Sequence, residues 1–324
     1  MKICIFGAGA IGGFVGAQLA SVGADVSLVA RGPHLKAMRE NGLRLRIDNQ
    51  ERTMKVVCTD DPAELGPQDY IFIALKAHSI PAVVDAMQPL MSDRTSIVTA
   101  VNGIPYWYFY QHGDALAGTQ LRTIDPGGQQ WRGLGPERAI GCIVYPATEV
   151  VEPGVIQHIY GDKFPLGEPS GEYTQRVQAL SMIMEQAGLR APVLDRIRDE
   201  MWLKLWGNLS LNPISALTHA TLDVIAGNSG TRAVSRAMML EAQTIAEKLG
   251  IHFRVNVERR LDGAGAVGAH KTSMLQDLER GRTMEINALV AVVQELGQLT
   301  NVPTPTIDIV LALVQQRASV AGLN

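Results

Sequence analysis

One stretch of this chain, Arg196 to Pro213 (RIRDEMWLKLWGNLSLNP), carries an ammonium and two carboxamides spaced four residues apart: Lys204, Asn208 and Asn212. Such groups can polarise a carbonyl, hand it a proton and hold a polar ligand in register. On a helix of about 100° per residue, each four-residue step drifts by only about 40°, so the three form a stripe on one face. Met201, Leu203, Leu205, Trp206, Leu209 and Leu211 surround them, the pattern of a largely buried helix. Buried polar groups without partners cost several kcal/mol, so the stripe needs partners. Either a bound polar ligand supplies one, or Lys204 pairs with Glu200 at i−4 on a solvated face. Glu285 heads an apolar stripe of Leu289, Val292 and Leu296, where an acid is either a dipole-favoured cap or a ligand contact at a domain cleft. Ser273 lies in HKTSMLQD (270–277), which begins a helix with hydroxyls, as caps do.

A second set of residues points to a nucleotide. Lys2 to Phe6 (KICIF) has the form of a buried parallel strand. It runs into Gly7, Ala8, Gly9, Ala10, Ile11 and Gly12, a G-x-G-x-x-G, and then into the helical pattern Ile11, Val15, Leu19. The strand Asp25 to Ala30 follows. Strand, glycine turn, helix and strand are the context a dinucleotide fingerprint requires. The glycines permit a tight turn and close approach of a pyrophosphate, and the helix start supplies free N–H groups. Where NAD-binding chains carry an acid for the ribose 2′-hydroxyl, this chain has Arg31. A guanidinium can hold a 2′-phosphate that a carboxylate would repel, so NADP is expected; otherwise Arg31 is a solvated loop charge. Two more strands, Tyr70 to Leu75 and Ser96 to Val101, lead to Lys76 and Asn102. In open α/β sheets, ligands sit beyond the carboxyl ends of strands, which is where both residues fall.

These residues need a sheet and then helices to position them. Leu43 to Ile47 and Met54 to Thr59 read as a peripheral hairpin or edge, and Ala139 to Tyr145, Val155 to Tyr160 and Phe164 to Leu166 as strands at a more antiparallel end. A helix near Tyr173 to Ala187 and a short strand Ala191 to Leu194 complete this half. Asp195 then suits the N-cap of the Lys204 helix. Helices follow around Thr231 to Leu249, Val255 to Leu261, Thr272 to Arg280, Met284 to Leu299 and Thr306 to Ser319. The expected fold class is α/β: a Rossmann-type dinucleotide-binding domain over 1–194 and an all-helical substrate domain over 195–324. Tyr106 to Tyr110 (YWYFY) touches every face of a helix, so it is no amphipathic stripe. It is a lid, a pocket wall, a subunit contact that would make a homodimer, or a buried insertion.

Composition narrows the function classes. With 324 residues, 46% hydrophobic and 19% charged, the chain has a globular make-up and room for one large domain or two ordinary ones. A net charge of −3 gives no reason to expect nucleic acid or an acidic membrane as partner. No apolar run approaches about 18 residues, so no membrane span is expected. The apolar N-terminus reads as strand and glycine turn, not signal peptide. Cys4, Cys58 and Cys142 lack metal-ligand spacing, so no metal is expected, and their odd number fits a reducing, cytoplasmic compartment.

Taken together, GAGAIG, the Arg31 turn, ALKA around Lys76, VNG at Asn102, WLKLWGNLSLNP, TSMLQD and the acid of RTMEI resemble the ketopantoate reductase (2-dehydropantoate 2-reductase) family over nearly the full length. The resemblance implies a Rossmann domain, a helical domain and an active site between them. It implies NADPH-dependent reduction of a small-molecule 2-oxo acid, ketopantoate, in pantothenate biosynthesis. By that resemblance Lys204 is the catalytic proton donor and Asn208 and Asn212 are substrate-site amides. Asn102 and Lys76 lie at the nicotinamide end. Ser273 and Glu285 meet the substrate's carboxylate and hydroxyl ends, respectively, and Glu285 joins Lys204 as a catalytic residue. Two departures bear on the substrate. The segment between Asn102-Gly103 and the Gly141 strand is longer than the family's, and Ile286-Asn287 and Val290-Ala291 stand where the family has I-D and then N-G. The alternatives are a reductase of another 2-oxo acid, a 3-hydroxy acid dehydrogenase of the same two-domain class, and a cofactor-binding sensor without catalysis.

Overall fold

The structure is a computed structural model that describes residues 1–113 and 115–323. The chain folds into two compact units. One comprises Met1–Val101, Pro105–Gln120 and Asp125–Ile197; the other comprises Asn102–Ile104, Leu121–Ile124 and Arg198–Asn324.

The first unit is built on short apolar runs that become buried strands. They are β1 (Lys2–Phe6), β2 (Asp25–Val29), β3 (Leu43–Ile47), β4 (Gln50–Met54), β5 (Val57–Thr59), β6 (Tyr70–Ile73), β7 (Ser96–Thr99), β8 (Ala139–Cys142), β9 (Ala147–Glu152), β10 (Val155–Tyr160) and β11 (Leu166–Gly167). Seven form one sheet in the order β11-β8-β7-β6-β1-β2-β5. Its neighbours run parallel except β11, which pairs antiparallel with β8. The strand order reverses at β1, so the crevice beyond the ends of β1 and β6 is the switch point where such sheets take ligands. The helices here are α1 (Ala10–Ser21), α2 (Gly32–Asn41), α3 (Val84–Met87), α4 (Gln129–Leu134) and α5 (Gln175–Gln186).

A second sheet, β4-β3-β10-β9, completes this unit. Leu43–Ile47 does form a hairpin, but its second arm is β4 and not the expected Met54–Thr59; alternation in β3 turns Leu43 and Leu45 inward and leaves Arg44 and Arg46 to pair with Glu51 and Glu152. The run from Met54 to Thr59 does not stay whole: Met54 ends β4, and β5 joins the edge of the main sheet beside β2. Strand β9 has no clean alternation and escapes a reading by period. Helix α1 packs on β1 and β2 and also on β3, β9 and β10. Every residue from Gly12 to Leu19 is therefore buried, which is why the helix is apolar nearly all round.

Of the possibilities for YWYFY, the buried insertion is the one realised. Tyr106, Trp107, Tyr108 and Phe109 are all buried in this unit. The Trp107 indole donates to the Thr99 hydroxyl on β7 (2.9 Å), and the Tyr106 hydroxyl donates to the Gly135 carbonyl (3.1 Å).

The second unit takes nearly all of α6 (Ile197–Thr218), and then α7 (Leu222–Gly227), α8 (Ser229–Lys248), α9 (Val257–Gly265), α10 (Ser273–Glu279), α11 (Val292–Leu299) and α12 (Pro305–Val320). Helix α6 begins two residues after Asp195, so Asp195 precedes the cap position instead of filling it. Helix α7 is too short for its period to stand out. Trp202 and Trp206 of α6 are fully buried; the Trp206 indole donates to the Met239 carbonyl (2.6 Å) and stacks on Phe253 (4.1 Å). The helix expected from Met284 opens instead as a π-helical turn, Asn287–Ala291, that continues into α11. Among the described residues no helix is long and apolar enough to cross a membrane.

Candidate active site

The glycine turn follows β1 directly. Its start is tied down by Gly7 and Ala8 N–H groups that both donate to the Val29 carbonyl, at 3.1 and 3.0 Å. Gly7 has φ 103°, a conformation costly for any side chain. A Cβ at Gly12 would lie 2.1 Å from the Gly7 carbonyl, so helix and turn can approach only through glycine. A Cβ at Gly9 would meet nothing within 4 Å, so that flank is open. Helix α1 starts there without a side-chain cap and without an acid in its first turn, and its first interior bond is Gly13 N–H to Gly9 carbonyl (2.7 Å). The N–H groups before Gly13 lie at an open helix start that suits a diphosphate.

Arg31 stands two residues past the end of β2 as the N-cap residue of α2. It is exposed and makes no ion pair among the described residues. A pocket beside it is lined by Gly32, Leu35, Lys36, Arg39, Glu40 and Asp60. Arg39 is already engaged by the Cys58 carbonyl (2.9 Å) and Asp60 (3.4 Å). Lys76, three residues past β6, is half-buried and starts a 3-10 turn, Ala77–Ser79.

The second unit gathers three of the expected residues into one network. Lys204 Nζ donates to Asn102 Oδ1 at 2.8 Å, and Asn102 Nδ2 donates to Glu285 Oε2 at 3.1 Å. This amide can be oriented only one way. An ammonium is purely a donor and a carboxylate purely an acceptor, so the oxygen must face Lys204 and the nitrogen Glu285. Glu285 is buried, Lys204 half-buried. Hydrogen bonds to charged groups are worth about 1.5–3 kcal/mol each, enough to fix both side chains. Glu285 also accepts from Leu289 N–H through its own carbonyl (3.1 Å), at the head of the π-helical turn. That is an ordinary helical bond, not a side-chain cap; the carboxylate faces Asn102 instead. Glu200 pairs with Arg254 (2.7 Å).

Farther along the stripe, Asn212 is buried and its amide donates to Ser273 Oγ (3.4 Å). The cap of α10 is Thr272, whose hydroxyl accepts from Leu275 N–H (3.3 Å), so Ser273 is left exposed at the first helical position. Asn208, between Lys204 and Asn212, is half-buried. Sequence reasoning passes over two residues with a part in this geometry. Gly103 (φ 83°) lies against the π-helical turn so closely that a Cβ would sit 2.0 Å from the Ala288 carbonyl. His34 touches the glycine turn, its Nε2 lying 2.8 Å from the Ala8 carbonyl. The spacing of RGPHL gives no sign of that contact, because it depends on how α2 returns to the turn.

A doubly wound sheet with an open glycine turn, followed by a helical unit holding a lysine–amide–carboxylate network, defines a dinucleotide-dependent oxidoreductase of the two-domain type. The family models "Ketopantoate reductase PanE/ApbA" and "Ketopantoate reductase PanE/ApbA C terminal" match residues 3–171 and 196–318. The chain belongs to the ketopantoate reductase family. It is 58% identical to a 2-dehydropantoate 2-reductase of Mesorhizobium japonicum, over 99% of each chain. A crystal structure from Ralstonia solanacearum MolK2 is 39% identical, with a TM-score of 0.96 over 100% of this chain and 99% of the other. The fold alone is shared with D-mandelate dehydrogenase, solved with NADH and anilino(oxo)acetate (21% identity, TM-score 0.82, 100% of both chains).

Proposed function

We propose that this chain reduces 2-dehydropantoate (ketopantoate) to pantoate with NADPH, in pantothenate biosynthesis. The observation that carries the reading is the bridge from Lys204 through Asn102 to Glu285, on the helix that also bears Asn208 and Asn212. When bound, the reduced nicotinamide supplies a hydride to the keto carbon. As that C–H bond forms, the carbonyl π pair moves onto oxygen, and Lys204 Nζ delivers the proton that completes the alcohol. The lysine is then neutral and regains a proton from solvent. Lys204 must begin protonated to serve as that acid. Asn102 holds the ammonium in register, and alignment of this kind is worth several kcal/mol. Asn212 and Ser273 supply a donor and a hydroxyl for the substrate's carboxylate, Asn208 a further amide, and Glu285 an acceptor for its hydroxyl. Gly7 to Gly12 take the diphosphate and Lys76 and Asn102 the nicotinamide end. Arg31 takes the 2′-phosphate, which makes NADPH the cofactor. Residues 1–194 would then serve the nucleotide and residues 195–324 the substrate.

The test is nicotinamide oxidation with ketopantoate and a panel of other 2-oxo acids, with NADPH and NADH in parallel. Branched and aromatic members belong in the panel because the chain departs from the family pattern just after Glu285. The expected result is highest kcat/KM with ketopantoate and NADPH, and an Arg31→Ala variant that loses NADPH affinity far more than NADH affinity. Background turnover with every 2-oxo acid sinks the reading. An equal effect of Arg31→Ala on both cofactors sinks the 2′-phosphate role.

A further inference from the structure

His34 is bonded to backbone at both ring nitrogens. Gly154 N–H donates to Nδ1 at 2.9 Å, so Nδ1 carries no proton. The ring proton is therefore on Nε2, which donates to the Ala8 carbonyl at 2.8 Å. Gly154 lies between β9 and β10 in the second sheet, and Ala8 is the second residue of the glycine turn. One neutral tautomer thus ties the turn to that sheet.

We propose that His34 is a positioning residue for the dinucleotide: neutral, it holds Ala8 and the glycine turn in the shape that takes the diphosphate, and its protonation releases that shape. The inference rests on reading Gly7–Gly12 as the NADPH site. A protonated ring carries N–H at both nitrogens, so Nδ1–H would face the Gly154 N–H, donor against donor. Burial already holds the ring below its ordinary range, and the bond to Ala8 opposes that only in part.

Charged neighbours do not account for the effect. The turn and α1 carry no ionisable side chain. On α2, Lys36 pairs with Glu40, Arg39 with Asp60, and Arg31 is exposed. On β9 and β10 the titratable groups are Glu149, Glu152, His158 and Tyr160; Glu152 is held by Arg44 and Arg46. His158 bonds the Gly161 carbonyl. Among the described residues, only Ala8 and Gly154 hydrogen-bond to the His34 ring.

If binding requires the neutral ring, affinity is full above the ring's transition in the free protein and falls as pH drops through it. By reciprocity, bound cofactor must move that transition to lower pH. The experiment is an NMR titration of the His34 ring in the full chain, free and with saturating NADPH, the resonance being identified by its loss in His34→Gln. NADPH affinity is measured by fluorescence at neutral pH for wild type, His34→Gln and His34→Ala. The glutamine amide can offer an N–H to Ala8 and an oxygen to Gly154. We expect a lower midpoint with NADPH, affinity within about twofold for His34→Gln, and roughly fivefold or more lost in His34→Ala. If His34→Ala does not fold, the titration and the glutamine variant decide. Equal midpoints, or a His34→Ala that binds like wild type, overturn the proposal while the cofactor reading stands. Failure of wild type to bind NADPH at all overturns both.

Discussion

An amide set between an ammonium and a carboxylate is the smallest unit of this site, and its chemistry is directional. Asn102 accepts from Lys204 and donates to Glu285. Asn102→Asp keeps an acceptor for Lys204 but turns a second carboxylate toward Glu285, so one of the two must bind a proton to restore the bridge. We expect kcat/KM at neutral pH to fall by roughly tenfold or more, with partial recovery on acidification. A pH profile parallel to wild type would show that the bridge does not matter. The cysteines make the opposite case, residues whose surroundings silence them. Burial pushes the Cys4 thiol up to about 12 and the Cys58 thiol up to about 11. At neutral pH their thiolate fractions are about one in ten thousand or less. A thiol reagent should therefore label the native protein slowly at these positions and rapidly once it is unfolded; fast native labelling at Cys4 or Cys58 would contradict the burial described here.

At the scale of elements, close backbone approach does the positioning. Gly103 lets the loop after β7 lie against the π-helical turn, where a Cβ would stand 2.0 Å from the Ala288 carbonyl. Gly103→Ala must push Asn102 away from Glu285. We expect kcat to fall by about a hundredfold, with a stability cost of about 2–4 kcal/mol by denaturant unfolding. The aromatic insertion is a matter of stability instead. Trp107 is fully buried and bonded to Thr99, so Trp107→Ala should cost about 3–5 kcal/mol, against less than about 1.5 for half-buried Tyr110→Ala. An activity loss in Trp107→Ala at unchanged stability would restore the lid reading. Much of this scale was legible beforehand. The strands β1, β2, β6 and β7 and the helices α6, α8 and α12 announce themselves because a buried run or a long 3.6-residue period is a local property. The π-helical turn was not legible, since Met284 to Leu299 keeps its apolar period through it. Nor was β9, half-exposed and without alternation. The hydroxyls that open α10 are legible in sequence, but Thr272 and Ser273 are both good cap formers and only the fold chooses Thr272.

For the whole molecule, the candidate site was legible as a set of residues and not as an arrangement. Lys204, Asn208 and Asn212 are one helical stripe, so their relation follows from spacing. That Asn102, about a hundred positions earlier in the chain, supplies the lysine's partner could not follow from spacing at all. His34 was missed for the same reason: its two bonds reach Ala8 and Gly154, and both are long-range. The division of the chain has the same character, with Asn102–Ile104 and Leu121–Ile124 belonging to the helical unit although residues of the first unit flank them on both sides. Glu295 fixes the second of these pieces by accepting from the Arg122 and Thr123 N–H groups at 2.8 and 2.9 Å. The proposed reaction depends on a protonated Lys204 that delivers its proton to the keto oxygen. It is tested most directly by comparing wild type and Lys204→Ala in two assays, ketopantoate-dependent NADPH oxidation and NADPH affinity in the absence of substrate. We expect a loss in kcat of about a hundredfold to ten-thousandfold in the variant, with NADPH affinity unchanged within about twofold. A Lys204→Ala variant that turns over ketopantoate at a rate near wild type would contradict it.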